Sequence, residues 1–227
     1  MTRKYNTILK QFIATAAISA FFMFSTGGAF AQTKTLRMAT WLPPMHSLIK
    51  TLDRWGQEVS KASGGSLKVE IMKAPLAKPP GQYDLVKKNV TDLAWSVAAW
   101  SPKRFHLFRG IDMPFLFSSA EVGSAGLWDW YSKNKFADKE FTDSKLVGAY
   151  VNPPHLYHSR KKLTVLNDLK GQKIRAGGYG IGILKKLGAA PLFLNPPSTT
   201  QALQKGTIDG TQFPWEALKG FRLVKYS

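Results

Sequence analysis

Apolar side chains follow two rhythms along this chain, one of period two and one near the helical period. Leu36, Met38 and Thr40 alternate and predict a strand that runs into Trp41-Leu42-Pro43-Pro44. Leu48, Leu52, Trp55 and Val59 then recur on one helical face, and Gly64-Gly65 stops that helix. Leu67, Val69 and Ile71 alternate as a second strand, a short helix spans Asp84 to Lys88, and a more buried strand covers Leu93 to Ala99. Strand, helix, strand, helix, strand is the grammar of a parallel α/β sheet with helices on its faces.

The proline-bearing loop Asp112 to Phe117 precedes a helix that Ser118-x-x-Glu121 opens as a capping box. Val147 to Val151 predicts a strand leading into Pro153-Pro154. The second half repeats the grammar with a strand at Lys173 to Ala176, a helix at Ile181 to Leu187 closed by Gly188, and a strand at Leu192 to Leu194. A helix from Ser198, with Gln201 as its box partner, ends at Gly206, and a further strand starts at Thr207-Ile208-Asp209-Gly210. The expectation is two α/β lobes, residues 32–151 and 152–227, joined near residues 150 to 160.

The first 31 residues differ in kind. Arg3, Lys4 and Lys10 make a basic start, Phe12 to Phe24 carries no charge, and Ala29-Phe30-Ala31 fits a small-x-small cleavage site. This predicts a secretory signal cut after Ala31 and hence a periplasmic protein. A membrane anchor is the alternative, weakened by Thr15, Ser19, Ser25, Thr26 and Gly27-Gly28, because a span needs about 20 mostly apolar residues.

Composition narrows the chemistry. The 227 residues contain no cysteine, which excludes disulfide scaffolds, thiolate metal sites and cysteine nucleophiles. Without the first 31 residues, 29 basic side chains stand against 14 acids, so the leader does not account for the charge. The lysines come in scattered pairs, Lys87-Lys88, Lys161-Lys162 and Lys185-Lys186, rather than on one helix or arm, which argues against nucleic acid and leaves weak adhesion to anionic surfaces open.

Catalytic and cofactor motifs are missing. Gly177-Gly178-Tyr179-Gly180-Ile181-Gly182 follows a strand and opens a helix, but Ile183 stands where G-x-G-x-x-G needs its last glycine, and no Gly-Lys-Ser/Thr ending follows. His46, His106, His155 and His158 show no metal-ligand spacing, and no serine sits in a G-x-S-x-G elbow. The expectation is a protein with no cofactor, no metal and no catalytic residue. Arg175, the last charged residue of its strand, is the remaining candidate. Arginine at the C-terminal end of an α/β strand can point into a ligand crevice, where its planar fork matches a carboxylate, or it can be an ordinary surface residue.

Several stretches resemble the substrate-binding proteins of TRAP transporters, the DctP-like family of tripartite ATP-independent periplasmic transporters. They are Trp41-Leu42-Pro43-Pro44-Met45-His46, Ser63-Gly64-Gly65 to Ile71, Met113-Pro114-Phe115-Leu116-Phe117, Asp168-Leu169-Lys170-Gly171 with Lys173-Ile174-Arg175, Leu187-Gly188-Ala189, Ala202 to Gly210, and Phe213-Pro214-Trp215-Glu216. The resemblance implies a two-lobed periplasmic-binding-protein clamshell that closes on a small organic acid and delivers it to membrane subunits driven by a sodium gradient. It makes Arg175 the main carboxylate ligand, with Gln212 and Trp215 beside it and aromatic walls from Phe213, Trp215 and Trp41.

A second family arginine falls on His155, which would then be protonated by the ligand and would lose affinity as pH rises from about 6 to 8. A family asparagine falls on Phe213, and Asn89 stands where a turn glycine is common. Family members continue for about another hundred residues, so the second lobe and the crossover between lobes are expected to be incomplete. That leaves a competing reading, a nonfunctional remnant that merely adheres to anionic surfaces, and a third, an exported hydrolase.

Overall fold

The computed structural model describes residues 32–226, and within it Lys34 onward forms one compact unit. The signal-peptide expectation falls on residues 1–31, outside the described residues. The first sheet has the order β2-β1-β3, from Lys34–Ala39 (β1), Leu67–Ile71 (β2) and Leu93–Ala94 (β3), all parallel, with Leu36 beside Val69 and Met38 beside both Ile71 and Leu93. Helix α1, Ser47–Ala62, crosses from β1 to β2. His46 caps it by accepting the Leu48 amide at Nδ1, and Gly56 lets it close on the sheet, since a Cβ there would lie 3.0 Å from the Val69 Cβ.

Helix α2 spans Gln82–Lys87 and ends at Asn89, which adopts a left-handed φ of 55°; the residue at the expected glycine position therefore makes the glycine-like turn. Between β3 and the second sheet lie 3-10 turns and two helices, α3 at Ala120–Lys133 and α4 at Phe136–Glu140. The buried Glu140 carboxylate accepts from the Tyr131 hydroxyl and from the Leu107 and Phe108 amides, tying α3 to the loop in front of it.

The second sheet has the order β4-β7-β5-β6, from Leu156–Ser159 (β4), Lys173–Ala176 (β5), Ala190–Phe193 (β6) and Gly210–Phe213 (β7). Its strands are parallel except β4, which runs antiparallel on the edge with Tyr157 beside Gln212. The uniformly parallel grammar read from the sequence is thus corrected to a mixed sheet. Helices α5 (Gly180–Lys186), α6 (Pro196–Gln204) and α7 (Trp215–Gly220) cover it.

Other elements also depart from expectation. Val147 to Val151 is not a strand; its Val151 amide donates to Ser124 Oγ instead of to a neighbouring strand, and Trp95 Nε1 donates to the Tyr150 hydroxyl. The third strand stops at Ala94, and the chain turns into a 3-10 segment at Ala98–Trp100. Ser119 rather than Ser118 caps α3. Helix α6 starts at Pro196 instead of Ser198, as proline is well placed in a first helical turn, and β7 begins at Gly210 after Ile208 has entered the core.

The larger core joins both halves of the chain. Trp41 and Leu42, just past β1, pack with Leu203, Ile208, Phe213, Leu218, Phe221 and Leu223. A smaller core of Leu169, Ile174, Ala176 and Leu184 lies between β5 and α5. Among the described residues no helix is long and apolar enough to cross a membrane.

Candidate functional site

Arg175 is the centre of the candidate site. It lies on β5 one residue before the strand ends and is only 3% exposed. Its Nε donates to the Leu194 carbonyl at 3.0 Å, its Nη1 donates to the Gln212 carbonyl at 3.2 Å, and its guanidinium lies 4.0 Å over the Phe213 ring. These contacts fix the plane of the fork. They do not neutralise it, because Arg175 has no ion-pair partner among the described residues. Burial pulls its pKa down to about 9, which leaves it charged at neutral pH and registers the cost of an uncompensated cation.

The surrounding residues come from the C-terminal ends of parallel strands. Trp41 follows β1, Trp95 and Trp100 follow β3, Gly177 to Tyr179 follow β5, and Trp215 follows β7. This is the edge of an open α/β sheet where ligands bind, since the loops there diverge and leave a crevice. The two sheets meet at this edge. The Arg109 guanidinium lies 4.3 Å over the Tyr179 ring, and Trp41 stacks on Phe221 at 5.9 Å. The glycine run read as a failed nucleotide loop is this meeting point: Gly178, at φ +54, passes 3.5 Å from the Ala99 Cβ, measured from where its own Cβ would be.

Sequence reasoning named six residues. Arg175, Gln212, Phe213 and His155 are brought together: Phe213 lies under the guanidinium, Gln212 holds it through its carbonyl, and His155 feels its charge. The Gln212 side chain reaches α5, where its Oε1 takes up the space beside Gly180. Trp215 is two-thirds exposed, with its ring edge-to-face on His158 at 4.8 Å, and His158 Nε2 bonds the Phe213 carbonyl. Trp41 is 5% exposed and enclosed by Trp95, Trp100 and Phe221, so the accessible aromatic wall on that side is formed by the tryptophans packed against it.

The His155 side chain is exposed to solvent, although protein crowds around it on its other sides. Burial first, and then the charge of Arg175, lower its pKa to about 4. It therefore stands neutral in the neutral range, where the family resemblance had it supply a second positive charge. Sequence reading missed Trp95, Trp100, Arg109, Tyr150, Tyr179 and Glu216. Burial raises the pKa of Tyr150, and the charge of Glu216 raises it further. Burial also raises that of Glu216 itself. The glycine run was the one cue to this group, because a backbone that must pass close to another element favours glycine. No group of three or more potential metal ligands occurs among the described residues.

Two α/β sheets meeting at their strand ends around a buried cation have the architecture of a solute-binding protein. Residues 38–227 match the model of the bacterial extracellular solute-binding proteins, family 7 (DctP), and the chain belongs to that family.

The solved structures similar to it include three that are at least 30% identical. A marine-metagenome TRAP solute-binding protein described as specific for aromatic acid ligands, in complex with 3-hydroxybenzoate, is 31% identical with a TM-score of 0.78 over 86% of this chain and 62% of its own. A TRAP periplasmic solute-binding protein from Bordetella bronchiseptica with bound (R)- and (S)-mandelate is 30% identical, with a TM-score of 0.79 over 85% and 62%. A TRAP solute-binding protein from Rhodoferax ferrireducens T118 in complex with benzoate is 30% identical, with a TM-score of 0.78 over 86% and 61%. The chain spans 60–63% of the length of the curated relatives it matches.

Proposed function

We propose that this protein is the solute-capturing component of a TRAP-type transporter and takes a small carboxylate, with an aromatic acid as the leading class. The observation that carries the reading is the buried, oriented and unpaired Arg175, whose charge an incoming carboxylate would neutralise inside the protein. The aromatic class is supported by the ring environment of Phe213, Trp95 and Trp100, and by the aromatic acids bound to the three similar solved proteins.

In this reading residues 32–151 and 152–227 act as two lobes, with the strand-end loops of each contributing to the cleft. The ligand favours the closed arrangement in proportion to its preference for that state. Residues 1–31 direct export to the periplasm, and membrane subunits receive the loaded receptor.

The test is calorimetric titration of purified protein with benzoate, 3-hydroxybenzoate and mandelate, beside the Arg175→Ala variant. Binding by the wild type and a loss of about 2 to 5 kcal/mol in the variant are expected, the range for truncating one partner of a buried charge pair. A loss under about threefold would remove Arg175 from the site.

A further inference from the structure

A carboxylate has two oxygens and accepts more hydrogen bonds than a single N–H of Arg175 can give. Arg175 uses Nε on Leu194 and Nη1 on Gln212, which leaves Nη2 unspent. A Cβ built on Gly177 would lie 3.9 Å from that Nη2 and 3.8 Å from Trp100 Nε1, so a nitrogen from a strand of the second sheet and one from the turn after β3 lie within 4 Å of one point. Trp100 Nε1 has no hydrogen-bond partner among the described residues, and unlike the sealed Trp41 Nε1 it is not shut off from solvent. An unsealed indole N–H can meet water in the empty protein and exchange that water for a ligand oxygen.

We propose that Trp100 donates its indole N–H to the same carboxylate that Arg175 holds, and that the missing side chain of Gly177 leaves the space in which that carboxylate sits. The inference rests on the carboxylate reading given above. A carboxylate spans the two nitrogens with one hydrogen bond of about 2.9 Å to each oxygen, which two donors within 4 Å of a common point permit. Trp100 lies in the 3-10 turn after β3, so this bond also joins the first sheet to a ligand anchored on the second. Ring and donor then act together, with the indole face forming the wall and its N–H orienting the acid group.

The experiment is titration of wild type, Trp100→Phe, Gly177→Ala and Arg175→Ala with benzoate, with thermal unfolding of each. Trp100→Phe keeps an aromatic ring and removes the donor; affinity is expected to fall about 10- to 100-fold, the worth of a hydrogen bond to a charged group. Gly177→Ala leaves both donors intact and adds a methyl group that meets neither nitrogen closer than 3.8 Å, so it should fold normally and still weaken benzoate about as much.

Wild-type affinity in Trp100→Phe, with binding lost in Arg175→Ala, overturns the role of Trp100 and leaves the carboxylate reading standing. If Trp100→Phe does not fold, full affinity in Gly177→Ala overturns it instead. No benzoate binding by a folded wild type, with the other aromatic acids equally silent, removes both the reading and the inference built on it.

Discussion

Burial makes the charge of Arg175 costly to the fold. A folded-state pKa below the ordinary 12.5 means that folding disfavours the charge, and this penalty is present wherever both states are charged, including the whole neutral range. Replacing the guanidinium by an apolar chain of similar length, Arg175→Met, should therefore raise the unfolding temperature of the ligand-free protein while abolishing its shift with benzoate. For a chain of this size each 1 kcal/mol corresponds to about 2 to 4 °C, which differential scanning calorimetry resolves. A lower unfolding temperature would show that the Leu194 and Gln212 carbonyl bonds outweigh the cost of burial.

His155 shifts in the same direction, in a lower pH range. Its value drops from 6.5 to about 4, so the unfolded chain takes the proton first, and stability is withdrawn only as pH falls through that window. Above it the ring is neutral in both states. Benzoate affinity should therefore be flat between pH 6 and 8, with His155→Gln giving the same flat profile. A fall in affinity over that window that His155→Gln removes would restore the charged histidine expected from the family position.

At the scale of elements, glycines mark where strands and helices approach most closely. A Cβ on Gly210 would lie 2.4 Å from the His158 carbonyl oxygen, and backbone cannot move aside without breaking the β4–β7 pairing. A Cβ on Gly180 would meet the Gln212 side chain, which can rotate away. Gly210→Ala should cost at least about 2 kcal/mol and Gly180→Ala much less, measured by denaturant unfolding of the two variants. Equal costs would mean that Gln212 is held as firmly as the backbone.

The elements themselves were partly legible. Helix α1 and strand β2 follow from periodicity and a double-glycine stop, because their apolar faces are local properties of sequence. The strand expected at 147–151 finds no pairing partner among the described residues, and its Val151 amide is taken by Ser124 from a distant position, which local periodicity cannot show.

Over the whole molecule, large apolar side chains remain uncovered. Phe115, at a left-handed φ of 64°, is fully exposed, and Met113, Leu166 and Val224 are each more than half exposed. None of the four ion pairs among the described residues lies beyond residue 143, so the second half carries its basic excess without internal neutralisation. Unless other surfaces cover these side chains, the protein should bind a hydrophobic dye and self-associate with rising concentration, as sedimentation would detect. A monodisperse species with no dye binding across the micromolar range would contradict this.

Sequence alone determined the α/β class, most of the element order, the absence of cysteine chemistry and the position of a strand-end arginine, because composition, periodicity and turn residues act over a few positions. Tertiary structure decided that Arg175 is buried without a counter-ion, that His155 is neutral, that Trp41 belongs to the core while Trp100 keeps an accessible donor, and that β4 runs antiparallel on the sheet edge. Those outcomes depend on which distant surfaces meet, since desolvation, charge proximity and hydrogen-bond satisfaction are set by neighbours in space.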